Sequence, residues 1–322
     1  MINTQEIESF AQRYEAIRRE IAKEMVGQEA VVEHLLLAVI AGGNVLLEGA
    51  PGLGKTHLVR TLSKVLSLPF SRIQFTPDLM PADITGTSIL EKTEGGSAFR
   101  FQEGPLFASL VLADEINRAT PRTQSALLEC MEERQVTEGG VTRRLDRPFW
   151  VLATQNPVET QGTFPLPEAQ LDRFLMRLSM GYPTQEEALR LMERFIHGSP
   201  LETLAPVASR AEVIAAQEAY SACQVSQPVM RYMAQLCQAT RTDERAQLGV
   251  SPRGLLALLR ACQAYAAVRG RDYATPDDVK TLAVPVLAHR VILRGLYGKR
   301  GENEAFIREI LDRTPAPTEE RA

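Results

Sequence analysis

The stretch Gly49-Ala50-Pro51-Gly52-Leu53-Gly54-Lys55-Thr56 decides how the rest of this 322-residue chain is read. It fits the pattern G-x-x-x-x-G-K-[ST], a phosphate-binding loop. A short apolar run over residues 44–47 precedes it and reads as a buried strand. After it, Leu58, Leu62, Val65 and Leu66 fall at helical spacing. Strand, glycine loop, helix is the context this motif requires. Glycines let backbone N–H groups wrap close to phosphate oxygens, and a helix beginning at Gly54 adds the positive end of its dipole. Lys55 is then expected to reach the β- and γ-phosphates, and the Thr56 hydroxyl to bind Mg²⁺. The alternative is a chance glycine turn. Four fixed positions arise by chance in on the order of one chain in a hundred of this length, and the flanking elements make that rarer.

Outward from the loop, the short apolar runs 72–75, 110–113, 149–154 and 174–178 are further strands, with helical patterns between most of them. Strand-helix alternation predicts a parallel sheet with helices on both faces; with 44–47 it has five strands. Upstream, Ile7, Phe10, Tyr14, Ile17 and Ile21 form a helical stripe over residues 3–24, and 31–41 is an apolar helix closed by Gly42-Gly43. Two segments break the rhythm. Residues 84–107 read as a β-hairpin turning at Glu94-Gly95-Gly96, and 134–147 as a second turning at Glu138-Gly139-Gly140. Between them Thr120-Pro121 starts a helix that runs to about residue 134. Past Tyr182-Pro183 strand signals cease. Thr184 and Glu187 form a capping box, Ser251-Pro252 and Thr275-Pro276 start further helices, and at least four helices fill 184–292. The expected division is an α/β domain over 1–182, an all-helical domain over 183–313, and a disordered tail over 314–322.

The length suits about two domains. A net charge of −4 and a pI near 5.8 leave no bulk electrostatic footprint for nucleic acid, a local basic groove aside. Cys130, Cys223, Cys237 and Cys262 have no zinc-like spacing and read as buried thiols of a reducing compartment. His34, His57, His197 and His289 are scattered and read as surface or core residues, although His57 follows Thr56 closely enough to join the nucleotide contacts. The N-terminus lacks a charged-then-apolar signal, and no apolar run approaches the ~18 residues of a membrane span. A soluble, cytoplasmic protein is expected.

The run Leu110-Val111-Leu112-Ala113-Asp114-Glu115 is a buried strand ending in two acids. At the carboxyl edge of the sheet they would face the glycine loop. Asp114 would hold Mg²⁺ through its water shell, and Glu115 would activate the attacking water. The run 150–157 is another strand ending in a polar amide; Asn156 there could bond the γ-phosphate or the water, or simply form a turn before Pro157. Arg173, in Leu171-Asp172-Arg173-Phe174, suits a finger arginine stabilising transition-state charge, or a surface ion pair with Asp172. Arg253 lies in the first turn of a helix, where a cation opposes the dipole by ~0.3–1 kcal/mol; a nearby phosphate would offset this, and a solvated arginine is the alternative.

With these residues assembled, the chain resembles the AAA+ ATPases, and within them the MoxR family, over roughly residues 20–295. In the terms of that family, residues 49–56 look like Walker A, 110–115 like Walker B, Asn156 like sensor one, Arg173 like the arginine finger and Arg253 like sensor two. Val26-Gly27-Gln28 resembles the segment that packs on adenine. The hairpins match the helix-two insert and pre-sensor-one hairpin of the clade shared with magnesium chelatase. Asp114-Glu115-Ile116-Asn117-Arg118-Ala119, Ala153-Thr154-Gln155-Asn156-Pro157 and the run 162–170 are similar to MoxR proteins in particular. The resemblance implies a P-loop sheet domain with an all-α lid, and ATP and Mg²⁺ as cofactors. It implies a homo-oligomeric ring, usually a hexamer, with Arg173 acting on the neighbour's nucleotide and Arg118 a second interface candidate. It also implies a chaperone-like action on a protein client, with a von Willebrand factor A domain partner and a part in metal insertion or complex maturation. Peptide-threading relatives carry an aromatic-apolar-glycine pore loop; residues 76–83 contain none, which argues against processive threading. The competing readings are a nucleic-acid motor, for which Arg134, Arg143 and Arg144 of the second hairpin speak, a chelatase motor subunit, and a non-hydrolysing switch, against which Glu115, Asn156 and Arg173 speak.

Overall fold

The computed structural model describes residues 4–93, 96–156, 162–196, 198, 200–295 and 301–317. Helices α1 (Thr4–Ala22) and α2 (Glu29–Ile40) lead into β1 (Val45–Glu48), α3 (Lys55–Val65), β2 (Phe70–Gln74) and a short α4 (Pro81–Thr85). The hairpin β3 (Gly86–Thr93) and β4 (Gly96–Glu103) precedes β5 (Leu110–Asp114) and α5 (Pro121–Glu133). A second hairpin, β6 (Gln135–Glu138) and β7 (Val141–Arg144), is followed by β8 (Trp150–Gln155), α6 (Glu168–Leu171) and β9 (Met176–Ser179). Then come α7 (Gln185–Ile196), α8 (Arg210–Ala219), α9 (Gln227–Thr242), β10 (Ala246–Leu248), α10 (Pro252–Val268), α11 (Pro276–Leu287), β11 (Ile292–Leu293) and α12 (Glu302–Arg313).

Five strands form one parallel sheet in the order β2-β5-β8-β1-β9. The reason lies in their side chains. In β1, β5 and β8 alternate residues enter two separate cores. Val45, Leu47, Leu110, Leu112, Trp150 and Leu152 face one, and Leu46, Val111, Ala113, Val151 and Ala153 face the other. A strand apolar at every position is what a parallel sheet covered on both faces demands. The first core is shared with α1, α2, α3 and the C-terminal helices, the second with α4 and α5. The Trp150 indole N–H donates to Gly43 O at 2.7 Å, tying the start of β8 to the start of β1.

The two hairpins pack on each other: Ser88 donates to Glu138 at 2.8 Å, and the Arg143 guanidinium lies 3.8 Å from the Phe101 ring centroid. That contact occupies Arg143, one of the cations on which a nucleic-acid role leaned. The all-helical expectation for the C-terminal part needs one correction. Residues 246–248 and 292–293 form a two-stranded antiparallel pair, too short to leave an alternating pattern in sequence. The turn at Glu94-Gly95, Pro157, His197 and tail residues 318–322 lie outside the described residues. All four cysteines are buried, and burial pushes the Cys130 thiol up to about 12. Among the described residues no helix is long and apolar enough to cross a membrane.

Candidate functional site

The glycine loop leaves the carboxyl end of β1, the fourth strand in the sheet order. Gly52 and Gly54 have φ of +82° and +87°, and a Cβ at either would meet nothing within 4 Å. The constraint is therefore backbone conformation, since the left-handed region is costly for other residues. Gly54 caps α3 in that conformation. The first turn of α3 carries Lys55 and no acid, so charge and dipole there repel each other and together favour an anion. The Lys55 ammonium donates to Gly49 O at 2.7 Å and Ala50 O at 3.3 Å, which holds it over the loop. Thr56 is the next residue of α3.

Asp114 ends β5, two strands from β1. The register Ala113↔Ala153 and Leu46↔Ala153 sets Asp114 level with Thr154 and Leu47. Its Oδ1 accepts from the Thr154 hydroxyl at 2.6 Å, and its Oδ2 from Arg72 Nη2 at 2.7 Å and Nε at 3.2 Å. Thr154 also accepts the Glu115 backbone N–H at 2.9 Å. One buried hydroxyl thus positions both acids. Glu115 has φ 57° and ψ 50°, a left-handed conformation that costs a residue with a side chain on the order of 1–3 kcal/mol. Its Oε2 accepts from Gln74 at 2.7 Å and Arg118 at 2.9 Å. Arg118, an interface candidate by resemblance, is here an ion-pair partner of Glu115 in its own chain.

Asn156 is buried one residue beyond Gln155. Gln155 pairs with Glu48 in register, and the Gly49 N–H donates to Gln155 O at 3.4 Å, so Asn156 stands beside the base of the loop. On the other side, Gln28 donates to Gly181 O at 3.2 Å, and Gly27 faces the Glu187 side chain. The segment Val26, Gly27, Gln28 therefore lies against the chain that leaves β9, the strand next to the loop. His57 departs from expectation. Its imidazole is turned to the carboxylate of Glu24, which is buried where α1 ends. The α1–α3 packing draws it away from the loop.

Arg173 and Arg253 stand together, but not at this loop. Arg173 Nε is 3.2 Å from Glu132 Oε2, and Arg253 Nη2 is 2.5 Å from Glu132 Oε1. Asp172 does not pair with Arg173; it accepts from Arg290 at 2.9 Å and from the Ser251 hydroxyl. Glu132, Asp172, Arg173, Arg253 and Arg290, with Arg134 and Arg260, line a cavity of about 280 Å³ beside Gly42, Gly43 and Asn44, where β1 begins. The loop lies where β1 ends, about 16 Å away at ~3.3 Å per residue. Burial lowers Arg290 to about 10, an effect that Asp172 opposes and Arg260 and Arg253 reinforce.

Five residues escaped the sequence reading: Arg72, Gln74, Thr154, Glu132 and Arg290. Arg72 and Gln74 left a signal, being polar in a strand next to one that is apolar up to its terminal Asp114. Among the described residues no three His, Cys, Asp or Glu gather as a metal site. Thr56 and Asp114 are hard oxygen donors suited to a Mg²⁺ that takes its other ligands from phosphate and water. An anion-seeking helix terminus, an open left-handed loop and these two oxygens fit a magnesium nucleoside triphosphate.

The chain is similar to known proteins over most of its length. Residues 44–176 match the ATPase family associated with various cellular activities (AAA), and residues 238–310 match the AAA lid domain. The chain is 46% identical to the uncharacterized protein YeaC of Bacillus subtilis over 94% of each chain. It is 42% identical to Chaperone MoxR1 of Mycobacterium tuberculosis, over 85% of this chain and 74% of that one. It is 33% identical to Protein MoxR of Methylorubrum extorquens over 93% of this chain and 94% of that one. A solved structure from Cytophaga hutchinsonii, described as a candidate ATPase, superposes with a TM-score of 0.88 at 38% identity, covering 97% of both chains.

Proposed function

Because the chain belongs to the MoxR family of AAA+ ATPases, we propose that it is the subunit of an ATP-hydrolysing ring that remodels a protein partner. One observation carries the ring: the glycine loop and the Arg173–Arg253 pair lie at opposite ends of the same sheet. A guanidinium reaches only about 7 Å from its Cα at ~1.5 Å per bond, so Arg173 cannot touch its own loop. Head-to-tail packing brings it to a neighbour's, and such contacts close into rings; six subunits is the expected number.

In this reading the backbone of residues 49–54 and Lys55 hold the β- and γ-phosphates, and Val26, Gly27 and Gln28 flank the adenine. Thr56 and Asp114 hold Mg²⁺, which when bound neutralises charge on the phosphates. Glu115 takes a proton from the water as that oxygen attacks the γ-phosphorus; the bond to the β-bridging oxygen breaks and ADP leaves. Asn156 orients the water, and the neighbour's Arg173 stabilises the transferring phosphoryl. Glu115 must first turn from Gln74 and Arg118. Residues 183–313 act as the lid whose movement passes work to a client. The client is a protein under maturation or metal loading, aided by a von Willebrand factor A domain partner.

Glu115→Gln is the test. Nucleotide binding should persist while turnover falls by about 10²–10⁴-fold, and a pull-down with this variant held in ATP should trap ring and partner together. Undiminished turnover would refute the role of Glu115. Lys55→Ala should abolish nucleotide binding.

A further inference from the structure

Five hydrogen bonds from Arg290 and Ser251 of the C-terminal helical part converge on residues 172–175, which carry Arg173. Arg290, fully surrounded between α11 and β11, donates from Nε to Asp172 Oδ1 at 2.9 Å. Its Nη2 donates to Phe174 O at 2.6 Å and Asp172 O at 3.2 Å, and its Nη1 to Leu175 O at 3.4 Å. Ser251 donates to Asp172 at 2.9 Å and also accepts the Gly254 N–H, as the cap of the helix that presents Arg253. Asp172 is thus the knot between the backbone before β9, the cap of α10 and a buried guanidinium. A planar fork can satisfy a carboxylate and several carbonyls at fixed angles, which a lysine ammonium cannot.

We propose that Arg290, acting through Asp172, is a positioning residue that fixes Arg173 and Arg253 as one unit facing the neighbouring subunit. Burial makes the arrangement stiff, because a guanidinium taken out of water keeps every partner it has. The consequence is that the lid and the trans-acting arginines move together. A lid displaced by nucleotide in one subunit shifts the groups that complete the next subunit's site. This rests on the trans-acting reading above, and the experiment separates the two.

Two variants read the clamp. Asp172→Asn keeps the shape and removes the ion pair; Arg290→Lys keeps the charge and removes the fork. Each should bind nucleotide at its own loop within about twofold of wild type and still assemble, while turnover falls by about 10²-fold, the usual effect of an ångström-scale misplacement. Each is then mixed in equal amounts with Lys55→Ala, which has an intact arginine unit and a dead loop. Turnover should return to about a quarter of wild type, the chance that an intact loop meets an intact finger in a random closed ring. A clamp variant merely damaged in its fold would not be rescued, because its own loop must do the work. Wild-type turnover in both variants, or loss without rescue, overturns the proposal. An Arg173→Ala and Lys55→Ala mixture is the control: if that pair fails to restore turnover, the trans-acting reading falls instead.

Discussion

Thr154 shows how much a site can depend on a residue with no charge of its own. Its hydroxyl donates to Asp114 and accepts from the Glu115 backbone N–H, and it is fully buried. Thr154→Val keeps the shape and β-branching and removes both bonds. The Glu115 N–H is then left unpaired in the interior, at a cost of about 1–3 kcal/mol, and the strained turn at Glu115 loses a support. The expected outcome is a fall in chemical-denaturation stability of that size, with turnover down about tenfold or more while nucleotide affinity holds. Equal loss of affinity and turnover would show that Thr154 shapes the loop and not the acids. Thr154 was invisible as a site residue in sequence because its role depends on register: only the pairing of β8 with β5 brings it level with Asp114. Lys55, Asp114 and Glu115 were legible because each follows directly from a local strand-and-turn pattern.

At the scale of elements, the apolar runs named every strand of the main sheet to within a residue or two, and the caps at Thr120, Thr184, Ser251 and Thr275 named the starts of α5, α7, α10 and α11, while α8, α9 and α12 went unnamed. The Thr184–Glu187 and Ser209–Glu212 boxes make a further point. Each carboxylate accepts the N–H of its cap residue, at 2.7 Å and 2.8 Å, and this bond holds Glu187 and Glu212 below the ordinary glutamate value of 4.5. A depressed folded value means that the stabilisation is present above 4.5 and is lost as pH falls through the folded value. The Thr184 and Ser209 amide resonances should therefore shift together with their carboxylates in an NMR titration at pH values below 4.5, and Glu187→Gln should abolish the shift at Thr184 alone. A Thr184 amide that titrates in that variant would rule the cap out as the cause. What the element patterns could not convey is where α10 meets the sheet. The first-turn position of Arg253 signalled an anion, yet the acid its guanidinium meets is Glu132 on α5, a long-range pairing that no local spacing encodes.

Over the whole molecule, the same sheet separates two half-sites. The carboxyl ends of its strands hold the glycine loop, the acids and Asn156; the amino ends hold a cavity lined, among the described residues, by five arginines and the two acids Glu132 and Asp172. Asp172 is committed to Arg290 and Ser251, which leaves Glu132 shared between Arg173 and Arg253, so this pair carries more positive charge than its acid balances. A surplus of buried and half-buried guanidinia is unfavourable in an isolated chain and becomes favourable when a phosphate approaches. Nucleotide and neighbour should accordingly stabilise each other's binding, since each supplies charge that the other's half-site lacks. Turnover per chain should then fall with dilution as the assembly dissociates, while nucleotide bound per chain at saturating concentration stays constant. Added ATP should shift the dissociation midpoint to lower protein concentration, and the shift should shrink in Arg173→Ala, which lacks the proposed phosphate contact across the interface. Measuring turnover and sedimentation across the same dilution series checks both. A specific turnover that holds steady where sedimentation reports single chains would mean that one subunit carries a whole site, against the trans-acting role proposed for Arg173.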